Sequence, residues 1–475
     1  SASDQSYNLL KPDQNNLMLM KGFTSRVVAT TGKKSFKGSK YRWHKSPDGG
    51  ATFPTSDGGW IYVSNSERDE NTGGVGAIRF DSEANIIDSY QICKRTSRNC
   101  AGGLTPWNTW LTCEEHSRGY TWECDPFGQK KQIKIPNLGM FNHEAAAVDP
   151  ETSIIYQTED TMESGFYRFI PETKIFRMGQ LANTKGRFQV MKINANHSVT
   201  WNNVPDQLAD YKNSKTKSLM TRKINKNINY TTFKRAEGAW YHDQKIYFST
   251  TASHEIWAYD IKRNTCKVLY KKNKKSNLQD PDNLTVSKNG IVIAAEDRGN
   301  MEICGITKSG KAFPILRLPS HKKSELTGPA FDPSGNRLYF SSQKHKNKVW
   351  PYFYELIQEM KTIFGQRYNI VLAPGPNEIE KAKKLNTNII LNNGKALNLI
   401  ELISFINEAS YVISNDTGPA HISSHLNKKG LALFGSHTSS KKVSIGEKNM
   451  KVLEVNNLKD LKVRIVIDKI KSDLN

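Results

Sequence analysis

The chain has 475 residues, 37% hydrophobic and 10% aromatic, enough to bury a sizeable core and too many for one ordinary domain. Its net charge of +22 attracts anions in general, but Lys and Arg are scattered through loops without a nucleic-acid-binding motif, so no nucleic acid is expected as a partner. No run of 18 apolar residues exists, which excludes a transmembrane helix.

The polar opening at Ser1 has no apolar signal core, so any export signal has been removed or never existed. One segment type then recurs six times: a small or acidic lead-in, a turn, an apolar β-rich run and a polar or acidic end. The copies are DGGATFPTSDGGWIYVSNSE (48–67), NCAGGLTPWNTWLTCEE (99–115), HEAAAVDPETSIIYQTED (143–160), EGAWYHDQKIYFSTT (237–251), DNLTVSKNGIVIAAED (282–297) and ELTGPAFDPSGNRLYFSSQ (325–343). Their ends at Glu67, Glu114, Glu159, Thr251, Glu296 and Gln343 are 47, 45, 92, 45 and 47 residues apart. A step of roughly 40–50 residues is that of a four-stranded propeller blade, which predicts a mainly β, six-bladed β-propeller with one long excursion. A seventh, degenerate blade in the long step is the alternative. The basic stretch Tyr211 to Tyr230, with six Lys/Arg and no acid, reads as a solvated, mobile insertion. The six cysteines form no CxxC, which argues against a zinc ribbon and leaves Cys93–Cys100 and Cys113–Cys124 open as disulfides.

Equivalent positions in successive blades lie on a ring about the axis. Carboxylates recur there: Asp48 and Glu67; Glu114 and Glu115; Glu144, Glu159 and Asp160; Glu237; Asp282; Glu296 and Asp297. Any one of them reads as an acid that ends a strand and faces solvent. Gathered in one funnel they repel unless cations lie among them, so a metal cluster is expected. Cys113, at the end of an apolar run, is either a small buried hydrophobe or a soft ligand suited to iron beside oxygen donors suited to calcium. Arg235 precedes Glu237 by two residues, which in a strand places both on one face. Its planar fork suits phosphate oxygens, and an ordinary ion pair is the plainer reading.

The segments GFTSRVVATTG (22–32), NCAGGLTPWNTWLTCEE (99–115), NHEAAAVDP (142–150), YQTEDTMESGFYRFIP (156–171), KRAEGAWY (234–241) and ELTGPAFDPSGNRLYFSSQ (325–343) resemble the PhoX alkaline phosphatases, over roughly residues 8–343. The resemblance implies a six-bladed propeller with a mixed Fe3+–Ca2+ cluster, acting broadly on phosphate monoesters. It also implies export by the twin-arginine route, hence a periplasmic or secreted location. Together with Glu67 from the ring, Cys113, Glu114, Glu144, Glu159, Glu237, Asp282 and Glu296 would be metal ligands, Cys113 on iron. Arg235, Glu237 and Cys113 would form the catalytic set, Arg235 holding the substrate phosphate. The expected chemistry is metal-assisted hydrolysis, in which a bound water or oxo group attacks phosphorus in line. No Ser or Thr stands in a motif that argues for a covalent phosphoenzyme.

After Gln343 the β-repeat stops at a basic junction and the pattern becomes βα. A helix is predicted over Tyr352–Phe364, strands at Tyr368–Ala373, Ile389–Leu391, Tyr411–Ser414 and Leu431–Phe434 (the last clear one), and a helix over Leu397–Ala409. SerAsnAspThrGlyProAlaHis (414–421) follows a strand and opens a helix, where backbone N–H groups can receive a phosphate; alone it is also a plain cap and turn. With VWPYFYEL (349–356), LAPGP (372–376) and ALFGS (432–436) it resembles one lobe of the heptosyltransferase-like glycosyltransferases of family nine. That implies a Rossmann-like GT-B half-domain binding a nucleotide-sugar through Asp416, Thr417, Gly418 and His421, and a cytoplasmic location if this part dictates the compartment. The expected division is a phosphatase propeller over 1–345 and a nucleotide-sugar domain over 346–475. Three rivals remain: a non-catalytic calcium-binding propeller, a lactonase-like hydrolase using calcium alone, and a glycosyltransferase fragment.

Overall fold

The recurring apolar strands and tight turns build consecutive antiparallel sheets. In the computed structural model, which describes residues 8–69, 71–210, 217–274, 276–297, 299–321, 324–343, 350–376, 378–435, 449–455, 458 and 461–474, the chain divides into two compact units, Ser1–Lys344 and His345–Asn475.

The first unit is a β-propeller. Blade one runs from Pro47–Pro54 through Trp60–Ser66 and Gly73–Phe80 to Ile86–Thr96. Blade two runs from Asn99–Leu104 to Ile133–Ile135, and blade four from Ala236–His242 to Thr265–Lys271. Blade three has five strands, His143–Val148 to Val199–Asn203. Blade five, Pro281–Val286 to Ala312–Arg317, gains Met18–Leu19 at its outer edge. The sixth sheet holds only Glu325–Phe331 and Leu338–Gln343. The six expected blades are thus five complete ones and a two-stranded sheet, because the repeat ends at Gln343 and the chain passes into the second unit. The seventh blade does not form among the described residues.

The inner strands pack side by side, and Glu325–Phe331 returns against Pro47–Pro54 to close the ring. Small residues are dictated by this closeness. A Cβ on Gly103 would lie 1.8 Å from the Ala146 carbonyl oxygen. Gly328, at φ +58°, would place one 2.4 Å from that of Asp48. Between blades, apolar faces interlock: Tyr156, Phe166, Phe248 and Tyr259 share one buried cluster, where truncating a single ring to Ala costs about 3–5 kcal/mol.

The basic stretch after Tyr211 is not a solvated insertion. Residues 211–216 lie outside the described residues, but Ser218, Leu219, Met220, Arg222 and Asn225 are buried. Leu219 and Met220 fill the core of blades two and three, while the Arg222 guanidinium donates to the carbonyls of Ser117, Met140, Ala209 and Lys217. Lys217, Lys223 and Lys226 carry their charge outward and the apolar pair anchors the segment.

The second unit is a small α/β domain. Val412–Asn415, Gly430–Phe434 and Met450–Glu454 form a parallel sheet, and Val371–Leu372 pairs in parallel with Asn388–Ile389. Met450–Glu454 is a further strand beyond the one expected to be last. Helix Phe353–Phe364 buries Leu356 and Phe364 with Leu431, Leu433 and Ile467. Helix Leu399–Glu408 starts at a capping box of Asn398 and Glu401. Among the described residues no helix is long and apolar enough to cross a membrane.

Candidate metal centre

Each inner strand departs from simple alternation near its start. The pairing register shifts between Pro47 and Gly50, Asn99 and Gly102, His143 and Ala146, Ala236 and Ala239, and Pro281 and Leu284. In all five, three steps on the inner strand oppose two on its neighbour, which is a β-bulge, a device that re-aims a side chain. The residue entering the bulge is Asp48, Cys100, Glu144, Glu237 or Asp282. Five blades therefore deliver four carboxylates and one thiol from the same place in the repeat.

A second ring comes from the neighbouring strand, one residue past its end: Glu67, Glu115, Asp160 and Asp297, with Thr251 in blade four. The two rings meet, and Glu325 of the sixth sheet joins them. Ligand atoms lie within 4.8 Å of one another in four groups: Glu67, Cys100 and Glu115; Asp48, Glu67 and Glu325; Glu144, Glu237 and Asp282; Asp282, Asp297 and Glu325.

So many acids do not all ionise in one place. Burial, reinforced by neighbouring carboxylates, pushes Asp48, Glu144 and Asp282 well above the usual carboxylate range, and burial also raises Glu237 against the pull of Arg235. Burial and the surrounding acids likewise raise the Cys100 thiol. Glu144 is wholly buried and neither of its side-chain oxygens has a hydrogen-bond partner. An orphaned carboxylate at the centre of an anionic ring is the arrangement a cation relieves, and oxygen donors with one soft sulfur suit calcium together with a transition metal.

Two guanidinium groups stand at the rim. Arg235 reaches Glu237 at 2.6 Å, Asp160 at 2.9 Å and Asp297 at 3.5 Å. Despite burial it holds the Asp160 carboxyl below its ordinary value. The expected neighbourhood of Arg235 and Glu237 is present, but not through strand alternation: Arg235 precedes the strand and sits in the left-handed region at φ +55°. Arg98, which composition and spacing did not single out, holds the same place two residues before Cys100, at φ +52°, and pairs with Glu115 at 2.6 Å.

A family model described as alkaline phosphatase PhoX matches residues 74–266 and 258–345, more than half of the chain. The chain belongs to the PhoX family. A second model, glycosyltransferase family 9 (heptosyltransferase), matches residues 323–470, so the chain continues into a heptosyltransferase-like region. Among solved structures, PhoX of Pseudomonas fluorescens in complex with vanadate, a transition-state analogue, is 15% identical with a TM-score of 0.58, covering 71% of this chain and 93% of that one. A gluconolactonase from Xanthomonas campestris is 12% identical with a TM-score of 0.39, covering 63% and 84%. The Escherichia coli heptosyltransferase WaaC with ADP is 24% identical with a TM-score of 0.25, covering 27% of this chain and 41% of that one. No curated protein matches the sequence.

Of the expected ligands the structure gathers Glu67, Glu144, Glu237 and Asp282 and does not bring Cys113, Glu114, Glu159 or Glu296 to the groups. Cys113 lies in the apolar core between blades two and three, its thiol facing Thr121 at 3.8 Å. The three acids turn away from the ring and are held by main-chain amides and neighbouring side chains. Glu114 accepts from Ser97 N and Trp122 Nε1, each at 2.9 Å. Glu159 accepts from Leu219 N and the Tyr167 hydroxyl, each at 2.7 Å. Glu296 accepts from Gln279 N at 2.6 Å and Glu302 N at 2.9 Å. On a strand, one residue decides the face, and their neighbours Glu115, Asp160 and Asp297 are the ones that look inward to the ring. Cys100 was legible as the lead-in of its repeat, the place Asp48, Glu144, Glu237 and Asp282 hold in theirs.

In the second unit Thr417 stands at the N-cap position of helix Gly418–His425 with its hydroxyl donating back to the Asn415 carbonyl, Asp416 is buried, and the His421 Nε2 lies 3.7 Å from its Oδ1.

Proposed function

We propose that the propeller is a metal-dependent phosphomonoesterase, an alkaline phosphatase in the sense of its family, working outside the cytoplasm. The observation that carries this reading is the convergence of Asp48, Glu67, Cys100, Glu115, Glu144, Glu237, Asp282, Asp297 and Glu325, drawn from all six sheets, around a buried carboxylate with no partner. We read the two-stranded sheet as a shortened sixth blade on the same axis as the five complete ones. Cys100, Glu67 and Glu115 would hold the transition-metal ion, Fe3+, and the all-oxygen groups would hold Ca2+. When bound, such ions supply Lewis-acid stabilisation of phosphoryl oxygens and an acidified water.

The chain's own residues do the rest. Arg235, 31% exposed at the side chain, presents its fork at the mouth of the ring, where a phosphate monoester can enter. Its present partners, Asp160, Glu237 and Asp297, keep it charged and aimed, so it meets charge growing on the equatorial oxygens without reorganising. Arg98, anchored by Glu115 and acting like Arg235 on Asp160, adds positive potential and draws the anionic ester in. Residues 346–475 we assign as a nucleotide-sugar-binding domain of the heptosyltransferase type, with Asp416, Thr417, Gly418 and His421 as contacts.

The test is release of phosphate from p-nitrophenyl phosphate by the full chain. Protein stripped with a strong chelator is expected to lose activity and regain it only with iron and calcium together. Recovery with calcium alone would instead favour a calcium-only hydrolase, and no activity under any loading would leave a non-catalytic propeller.

A further inference from the structure

Two free thiols outside the ring lie in one buried cluster where two blades meet. Cys93, on the outermost strand of blade one, and Cys124, closing Thr121–Cys124 of blade two, are both buried in one apolar cluster. The two blades are clamped on either side of the pair. The Tyr90 hydroxyl donates to the Pro126 carbonyl at 2.9 Å, and Gln132 Nε2 donates to the Lys94 carbonyl at 2.7 Å. Burial first, then the hydrogen bond and charge of Cys93, push the Cys124 thiol up, as two thiols in contact do. Cys93 also meets the Thr96 hydroxyl at 3.7 Å; the other cysteines lie away from this cluster, Cys100 at Asp48 and Cys304 at Glu302, both at 3.7 Å, Cys113 at Thr121, and Cys266 in the core of blades three and four. The two pairings that the sequence left open, Cys93–Cys100 and Cys113–Cys124, are not the ones the fold brings together.

We propose that Cys93 and Cys124 form a disulfide that staples blade one to blade two. Each thiol gives up a proton and an electron. A small-molecule disulfide such as glutathione disulfide accepts both electrons and both protons and leaves as two thiols, by exchange through a mixed disulfide. The closed loop spans residues 93–124 and carries Arg98, Cys100 and Glu115. The staple therefore fastens the stretch that supplies Cys100 and Glu115, two of the three residues in one group of the metal centre. It also commits two neighbouring thiols to each other, so that Cys100 stays reduced as a ligand.

The full chain is equilibrated with glutathione disulfide, and separately refolded from denaturant in the same buffer. It is then alkylated, digested with trypsin without reduction and weighed. Cys93 falls in peptide 80–94, Cys124 in 119–130, and Cys100 with Cys113 in 99–118, so each pairing gives a distinct mass. The expected result is 80–94 linked to 119–130, with Cys100, Cys113, Cys266 and Cys304 alkylated. Free alkylated Cys93 and Cys124 under both protocols, or either one linked to peptide 99–118, overturns the proposal. Reduction should lower the melting temperature of the oxidised protein by about 3–5 °C and leave the Cys93→Ser/Cys124→Ser double variant unmoved. This outcome is independent of phosphatase activity.

Discussion

The two places where this chain gathers polar residues are built in opposite ways. In the second unit, Asp416, Thr417, Gly418 and His421 stand within six consecutive residues at one strand–helix junction. At the propeller axis, Asp48, Cys100, Glu144, Glu237, Asp282 and Glu325 come from six sheets and span nearly three hundred residues. A contiguous motif announces itself in a sequence but carries little chemistry beyond a helix start. A dispersed constellation carries the chemistry, and shows itself only when the register of every strand is known. The price of dispersion is dependence on the whole ring.

That contrast can be broken at several points. The largest effect is expected at Cys100: Cys100→Ala should lower phosphate release at least about 100-fold, whereas Cys113→Ala should stay within about threefold and cost about 1 kcal/mol of stability. Equal loss in both, measured with p-nitrophenyl phosphate and by denaturant unfolding, would return Cys113 to the site. Arg235→Ala is expected to lower kcat by about 100-fold, the scale of one lost transition-state donor. Glu159→Ala should leave the Leu219 N–H and Tyr167 hydroxyl buried without an acceptor and destabilise the fold by about 3 kcal/mol, read as a fall in denaturation midpoint.

His44 tests the propeller away from its ring. Burial holds it neutral, with its pKa lowered to about 3 from 6.5. The unfolded chain binds the extra proton first, so its contribution is complete above pH 6.5 and is lost as pH falls towards 3, on the order of 4 kcal/mol in all. His44→Phe should flatten the acid limb of the stability curve in that window. The smallest effect belongs to the second unit. Asp416→Ala should weaken ADP binding about tenfold, by calorimetry, and leave phosphate release unchanged. Loss of both together would mean that the two sites are not separate.

How much of this was legible from the residues follows from the same contrast. The repeat near 46 residues gave the propeller, because each blade must bury its own apolar face against the next and therefore repeats its pattern. The axial acids were legible as a set. The choice within CysGluGlu, ThrGluAsp and AlaGluAsp was not, because which acid turns inward depends on where the strand stops pairing with its neighbour rather than on local composition. The shortened sixth sheet and the anchored basic stretch were hidden for a related reason: both depend on which distant segment is available as a partner.

The paired acids at the strand ends have a consequence for redesign. Glu114, Glu159 and Glu296 are fixtures, each bolted to main-chain amides, and the adjoining Glu115, Asp160 and Asp297 are the fittings mounted on them. A fitting can be exchanged while its mount is untouched. Libraries aimed at a different ion or a bulkier ester should therefore vary the second acid of each pair and keep the first constant.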